Sequence, residues 1–562
     1  MSKKSGSGKS GAGTRIVFLG GAGEIGRNMT VFEQNGRLLI LDAGLMFPTE
    51  EMLGVDLVLP DFEYLADRAK KIDGLLLTHG HEDHVGAVPF LLKELSLDIY
   101  GSPLTLGLLK PKLEEHHVTD RARLHEVVAP ADFNIGSFKV SVFPVVHSIP
   151  SGFGTVIDSA GGRIVHTGDF KIDSDPGPGI APTNVDKLRA LGDSGVDLLM
   201  SDSTNAERPG STPSEKTVAK ALDEVLRDAE GRVVIACFAS NIQRVQEIIV
   251  TAQKYERLVC LLGRTMLKNV AVARDLGFID APDGLFVPRE ELDRLPDNRV
   301  VVISTGSQGE PLSALSLMAA GAHKWVELAP SDTVVLSATP IPGNESAVRR
   351  VIDGLFRIGC KLIHPPAQAV HVSGHGSSDD LRLMLDLIRP RWFVPVHGEY
   401  RQMVTHAKLA VESGVSEENA LVVEDGAVLV MDKGEIKRQQ RVHAGYTLVD
   451  GIGIGDVGPV VLRDRRVLAD DGIIVCVVTI DSQTGELLAG PDVISRGFLH
   501  EEENTDFLER AKSEIRESLA SLAQDEVTEW SEIRRAVRRA LGKFVWESTR
   551  RRPMILPVVM EV

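Results

Sequence analysis

The apolar positions fall into short runs, separated by polar segments and by Gly- and Pro-containing breaks. Near the start TRIVFLG, MTVFEQ and RLLILDAG read as strands, and the last two flank Asn35-Gly36, a pair that accepts the positive φ of a tight hairpin turn. Further on the pattern predicts a helix over 62–70, a strand in IDGLLLT (72–78), a helix over 87–95, and strands over 138–145 and 163–167. Helices alternating with short apolar strands predict a layered α/β domain. Between 213 and 365 a separate alternation, VVIACFAS, LVCLLG, VVVISTGSQGE and TVVLSATPIPGNE, reads as parallel strands ending in small-residue loops. The Gly-rich run AGYTLVDGIGIGDVGP marks a linker over 443–471. Residues 472–562 then predict a small α/β unit: strands in IIVCVVTI, ELLAGPDVI and MILPVVMEV, with charged helices over 503–522 and 529–541.

One stretch changes this picture from architecture to chemistry. THGHEDHVGA (78–87) places His79, His81, Asp83 and His84, all potential metal ligands, directly after an apolar strand. Histidines spaced i, i+2 on an extended segment point to the same side, and imidazole and carboxylate donors suit zinc and manganese. Other candidates also stand at strand ends: His147 in FPVVHSIP, Asp169 in HTGDF and His397 in WFVPVHGEY. One ion can take His79, His81 and His147 and a second Asp83, His84 and His397, with Asp169 bridging. Such a pair activates water and clamps a displacement at phosphorus, so hydrolysis is the expected reaction class. Because candidate ligands lie on both sides of 213–365, that block reads as an insertion.

A second constellation, HVSGHGSSDDLRLML from His371, puts two histidines and a serine in a Gly-rich turn that opens a helix. Ser377 and Asp380 fit a capping box, and the turn's Ser373, Gly374 and His375 are candidates to hold a phosphate, with His375 as proton donor to the leaving oxygen. TGSQGEP (305–311) and PIPGNE (340–345) are further phosphate-loop candidates, although such segments are more often plain strand-to-helix turns. Arg244 and Arg264 are candidate contacts to a nucleic-acid backbone, against solvated surface charge as the plain alternative.

Composition mostly excludes. The four cysteines are scattered without a CxxC, against both a disulfide framework and a thiolate zinc site, and fit a reduced cytoplasm. No apolar run of about 18 residues reads as a membrane span. The start, MSKKSGSGKSGAG, reads as a flexible tail (1–13), and its Gly8-Lys9-Ser10 lacks the preceding strand and first glycine of a phosphate loop. The GxGxxG at Gly21, Gly23 and Gly26 leads into a predicted hairpin where a dinucleotide fingerprint needs a helix. A net charge of −17 gives no general pull toward nucleic acid, so any phosphate surface must be a local basic patch.

The order HxHxDH, His147, Asp169, His397, with Asp42 in the preceding LDAG strand, resembles the metallo-β-lactamase fold. Asp202 in MSDSTNAERPG, the insertion after it, FASNIQRVQ and His375 in HVSGHGS resemble its β-CASP nucleases. Together with GGAGEIGRNM and the appended final unit, residues 14–562 resemble the bacterial ribonuclease J family. The resemblance implies a metallo-β-lactamase αββα sandwich (14–212 and 366–442), an inserted α/β β-CASP domain (213–365) and a small C-terminal α/β domain (472–562). It implies two divalent ions per subunit, zinc first and manganese second. His375, Asp202 and Asp83 would take part in catalysis, and His371, Val372, Ser373, Gly374 and His375 would bind substrate phosphate. The implied activity is cytoplasmic RNA maturation and decay: 5′-to-3′ removal of nucleotides from single-stranded RNA with a 5′-monophosphate, plus internal cutting. The implied assembly is a homodimer or homotetramer, with an RNA-degradation complex as a further partner and no membrane. A DNA-directed β-CASP nuclease is the nearest alternative; a thioester or lactam hydrolase would share the ligands but need neither the insertion nor the HVSGH turn.

Overall fold

The computed structural model describes residues 13–177, 180–341, 343–499, 505–524 and 529–562. The tail with Gly8-Lys9-Ser10, Pro342 of PIPGNE and the first residues of the helix expected from 503 lie outside them. The chain divides into two units, residues 1–47 with 57–447 and residues 48–56 with 448–562.

In the larger unit two sheets face one another. The first runs, in spatial order, Glu435–Gln439, Val428–Asp432, Thr14–Gly20, Met29–Gln34, Arg37–Leu41, Ile72–Leu76, Leu97–Gly101, Ala122–Glu126. The second runs Trp392–Val396, Leu198–Asp202, Arg163–His166, Phe153–Asp158, Phe138–Pro144, Ala131–Ile135. Ile16, Phe18, Phe32 and Leu76 from the first meet Phe138, Phe153, Ile164 and Met200 from the second in one apolar core. Helices Val185–Asp193, Ser378–Ile388 and Tyr400–Glu412 cover the outer face of the second sheet through Leu188, Leu381, Leu385 and Leu409. The expected hairpin is present: Met29–Gln34 pairs antiparallel with Arg37–Leu41, and Asn35 and Gly36 have φ of 50° and 73°. No helix follows the early glycines, in agreement with the rejection of a dinucleotide site. The helix expected over 62–70 shrinks to Glu63–Ala66 and a 3-10 turn, Ala69–Lys71, because its buried residues, Phe62, Tyr64 and Leu65, all lie at its start.

The alternation expected over 213–365 forms a five-stranded parallel sheet, in the order Leu258–Leu262, Val300–Ser304, Val233–Ala236, Thr333–Leu336, Lys361–Ile363. Helices pack on both faces, which is what a sheet of near-continuous apolar strands requires.

The smaller unit contains a sheet in which Ile473–Ile480 lies between Leu487–Arg496, antiparallel, and Met554–Glu561, parallel. Helices Thr505–Gln524 and Trp530–Thr549 cover one face with Ile515, Leu519, Val537 and Leu541. The second helix runs past Gly542, because Phe544 and Val545 extend its buried stripe and outweigh the roughly 1 kcal/mol a helical glycine costs. The stretch expected as a linker holds the strand Tyr446–Asp450 and the helix Pro459–Asp471.

Candidate metal centre

The ligand candidates converge as two sets that share one carboxylate. His79, His81, His147 and Asp169 form the first, and Asp83, His84, Asp169 and His397 the second, with the ligand atoms of each set within 4.8 Å of one another. Strand ends do the positioning: His79, His147, Asp169 and His397 each follow within three residues of the end of a strand, and His81 to His84 open the short helix Glu82–Val85. Asp169 Oδ2 lies 3.2 Å from His84 Nε2, 3.3 Å from His397 Nε2, 3.6 Å from His79 Nε2 and 3.8 Å from His147 Nε2. His81 Nδ1 lies 3.0 Å from His79 Nε2 and 3.1 Å from His147 Nε2. Donors about 2.0–2.1 Å from a tetrahedral ion are themselves roughly 3.3 Å apart, so these spacings are those of coordination edges. Asp169 Oδ2 and His397 Nε2 are buried yet make no hydrogen bond. Orphaned acceptors aimed at one point fit a cation.

A further shell of residues sets which imidazole nitrogen faces the centre. Asp42 accepts from Thr78 N (2.8 Å) and Thr78 Oγ1 (2.9 Å) and holds His84 Nδ1 at 2.8 Å. Asn28 Oδ1 accepts from His397 Nδ1 at 3.0 Å, while its Nδ2 donates to the Asp83 carbonyl, also at 3.0 Å. His147 Nδ1 donates to the Gly374 carbonyl at 2.8 Å. In each case Nε2 is turned toward the centre, the usual arrangement for metal-binding imidazoles, although His84 Nε2 also lies 3.1 Å from Asn28 Nδ2. Asp42 and His397 have positive φ, 60° and 50°, a conformation uncommon for non-glycine residues and concentrated at functional sites.

Burial pushes His79 and His81 well below the ordinary imidazole range, and pushes His147 down to about 3 with help from His375. These are neutral imidazoles, the ligand form. Burial also acts against the charged form of Asp169, but His397, His84 and His79 outweigh it and hold the carboxyl well below its usual range.

The HVSGH turn lies against this cage. His375 Nδ1 is 2.8 Å from Asp202 Oδ2 and 4.0 Å from Asp169 Oδ2, and its ring centroid is 4.8 Å from that of His147. Burial lowers the His375 pKa, but Asp202 outweighs this and raises it to about 9. The turn is braced by residues that sequence reasoning missed. Asn205 Nδ2 donates to Ser373 Oγ (2.8 Å) and to the His375 carbonyl (3.0 Å), which also accepts from Thr212 Oγ1 at 2.7 Å. Asp380 accepts from Ser377 N at 3.0 Å, completing the expected capping box. A Cβ on Gly374 would sit 2.7 Å from the His147 ring, so only glycine lets the turn approach that ligand. Asn205 and Thr212 stand in the STNAERPGST segment (203–212) that follows Asp202, and nothing in their spacing signals the contact.

Arg244 and Val372 are placed differently from their sequence expectation. Arg244 is fully buried: it pairs with Glu215 Oε2 at 2.7 Å, donates to the Val370 carbonyl at 3.0 Å and contacts Ser337 Oγ. It cannot reach a nucleic-acid backbone; it anchors the segment leading into the turn. Val372 packs in the apolar core of the inserted domain, so only its backbone is open to substrate. The loops 305–311 and 340–345 bind each other, Gln308 accepting from Ile341 N (2.7 Å) and donating to the Thr339 carbonyl (3.1 Å). Arg264 is exposed at the start of the helix Arg264–Asp275. His371 has a buried, unpartnered Nδ1 and is pushed down to about 3 by burial and then by Arg244, Arg208 and Lys171.

Four family models match in chain order: Metallo-beta-lactamase superfamily over 22–224, Ribonuclease J beta-CASP domain over 230–355, Zn-dependent metallo-hydrolase RNA specificity domain over 367–422, and Ribonuclease J C-terminal domain over 460–562. The chain is 41% identical over 548 residues to ribonuclease J2 of Bacillus subtilis strain 168, covering 98% of both chains. It is 39% identical over 548 residues to ribonuclease J 2 of Staphylococcus aureus strain MRSA252, again with 98% of both covered. A solved protein of unknown function from Enterococcus faecalis V583 shares the fold, with a TM-score of 0.53 at 16% identity over 74% of this chain and all of that one. With its seven ligand candidates gathered at one centre and these matches along nearly its whole length, the chain belongs to the ribonuclease J family, metal-dependent hydrolases of the metallo-β-lactamase fold that act on RNA.

Proposed function

We propose that this protein removes nucleotides in the 5′-to-3′ direction from single-stranded RNA bearing a 5′-monophosphate, and also cuts RNA internally, in cytoplasmic RNA maturation and decay. The observation that carries the reading is the contact of the HVSGH turn with the metal cage through His147 Nδ1 and the Gly374 carbonyl, 2.8 Å apart. A phosphate held by the turn is thereby placed beside the ligands. His371, Ser373, Gly374 and His375 form the phosphate seat, and the nearby cations Arg208 and Lys171 favour an anion there.

Two divalent ions held by the seven ligands would supply Lewis acidity that makes water a nucleophile near neutral pH. The imidazole-rich first set favours zinc, while the second, with two carboxylates, accepts manganese as well. His375, kept protonated by Asp202, donates its Nε2 proton to the leaving oxygen, and Asp202 stabilises the cation before transfer. Asp83, 30% exposed while the other ligands of its set are buried, takes part at the side of the cage open to water. Arg264 serves as an outlying backbone contact.

A homodimer or homotetramer is part of the proposal, as is association with other RNA-degrading proteins. The sheet face of the smaller unit turned away from its helices supports self-association, since Ile494, Leu556, Val558 and Met560 lie on it at 38–47% exposure.

Matched RNA and DNA oligomers carrying 5′-monophosphate, 5′-triphosphate or 5′-hydroxyl test the activity. Processive release of mononucleotides, fastest from 5′-monophosphate RNA, is expected. Equal or faster cutting of DNA would overturn the reading.

A further inference from the structure

The smaller unit carries a concentration of positive charge at odds with the rest of the chain. Between Ser531 and Arg552 there are eight Lys and Arg against two Glu, in a protein whose net charge is −17. Part of this charge is used internally: Arg535 pairs with Glu532 at 2.6 Å, and Arg551 with Asp471 at 3.1 Å. Arg538, Lys543 and Arg552 have no acidic side-chain partner among the described residues, and all three are exposed.

These side chains are not spread over a convex surface. Arg538, Lys543 and Trp546 from the helix Trp530–Thr549, Arg463 with its partner Asp464 (3.6 Å) from the helix Pro459–Asp471, and the start of the strand Met554–Glu561 line one groove of about 750 Å³. Arg552 also lines it, stacked over the Trp546 ring at 4.5 Å from the centroid. Trp546 is 37% exposed, and Arg550 also lies over its ring, 5.5 Å from the centroid. The metal centre uses none of these residues.

We propose that this groove is a second binding site for single-stranded RNA, with phosphates against Arg538 and Lys543 and a base stacked on Trp546 in place of a guanidinium. The inference rests on the ribonuclease reading above. Cations beside an exposed aromatic ring are the arrangement by which proteins hold single strands without reading sequence, because every base has a stacking face and every residue a phosphate. An acidic peptide would use the cations but leave the ring without a role. A local patch of this kind is also what an acidic protein needs to hold a polyanion.

The test measures fluorescence anisotropy of a long, phosphorothioate-linked single-stranded RNA, which resists cleavage, binding to the full-length metal-loaded chain across a salt series. The Arg538→Gln/Lys543→Gln variant should bind more weakly, with a log–log salt slope roughly 1.4 shallower, as expected for two lost phosphate contacts. Trp546→Leu should lose roughly fivefold or more in affinity with the slope unchanged. Circular dichroism and thermal unfolding confirm that both variants fold; if Trp546→Leu does not, the charge variant decides alone. Unchanged affinity and slope in a folded charge variant would overturn the site. Loss of poly-glutamate binding in that variant, with RNA binding intact, would assign the groove to an acidic protein and equally overturn it. Hydrolysis of 5′-monophosphorylated RNA by the wild-type chain is scored separately, so failure of the underlying activity is not confused with failure of the groove.

Discussion

His81 and His375 are both histidines of the same centre, yet the structure gives them different jobs. His81 Nδ1 packs within about 3 Å of two other ligand nitrogens, whereas His375 turns its Nδ1 to Asp202, 2.8 Å away. His81→Ala should therefore abolish hydrolysis and lower metal content. His375→Ala should keep its metals and lose roughly 10²–10⁴-fold in turnover, the usual worth of a positioned proton donor. Metal analysis beside single-turnover rates separates the two, and loss of metal in His375→Ala would remove the proton-donor assignment. Asp202→Asn belongs with the second case. The amide keeps the size but not the charge that holds His375 protonated, so turnover should fall while metal content stays.

Between elements, the key contact is Arg244 of the helix Ile242–Lys254, which reaches the carbonyl of Val370 immediately before the phosphate turn and shares it with Ser337 Oγ, 2.7 Å from that oxygen. Arg244→Met would leave the fully buried Glu215 charged and alone, a change that costs about 3–5 kcal/mol. Chemical denaturation should show that loss. Adding Glu215→Leu should recover much of it without recovering full activity, because the Val370 carbonyl keeps the Ser337 hydroxyl but loses the guanidinium that ties it to the helix Ile242–Lys254. A single Arg244→Met variant of wild-type stability would contradict this role. The same residue marks the limit of what the sequence could tell. The metal ligands were legible because four of them crowd into 79–84 and the others directly follow apolar strands. Arg244 was not, because a buried cation is recognised only by partners, Glu215, Ser337 and Val370, that are distant along the chain. Of the helices that the sequence pattern did not assign, two were hidden for local reasons. Pro103–Glu115 carries Pro111 in its interior, which argues against a helix until its packing is seen, and Pro459–Asp471 buries no residue, so it has no apolar stripe to read.

Across the whole molecule, every ligand belongs to the larger unit, and those ligands come from both of its facing sheets: His79 follows Ile72–Leu76 in one, while His147, Asp169 and His397 follow Phe138–Pro144, Arg163–His166 and Trp392–Val396 in the other. Ions bound by these candidates would tie the two layers together at their edge, and a group that binds only the folded state stabilises it by RT ln(1 + [L]/Kd), about 4 kcal/mol at a thousandfold excess over Kd. The smaller unit has its own core, built on Ile474, Cys476, Val478 and the two long helices, and contributes no ligand candidate among the described residues. Chelation should thus act unevenly. Hydrogen exchange on the full chain is expected to quicken in Ile72–Leu76, Arg163–His166 and Trp392–Val396 when metal is withdrawn, and to stay unchanged in Ile473–Ile480 and Met554–Glu561. The distribution matters more than the size of the effect, since it reports where the ions sit. Equal quickening in both units would mean that metal stabilises the chain as a single cooperative block, and quickening confined to the smaller unit would contradict the assignment of the seven ligands.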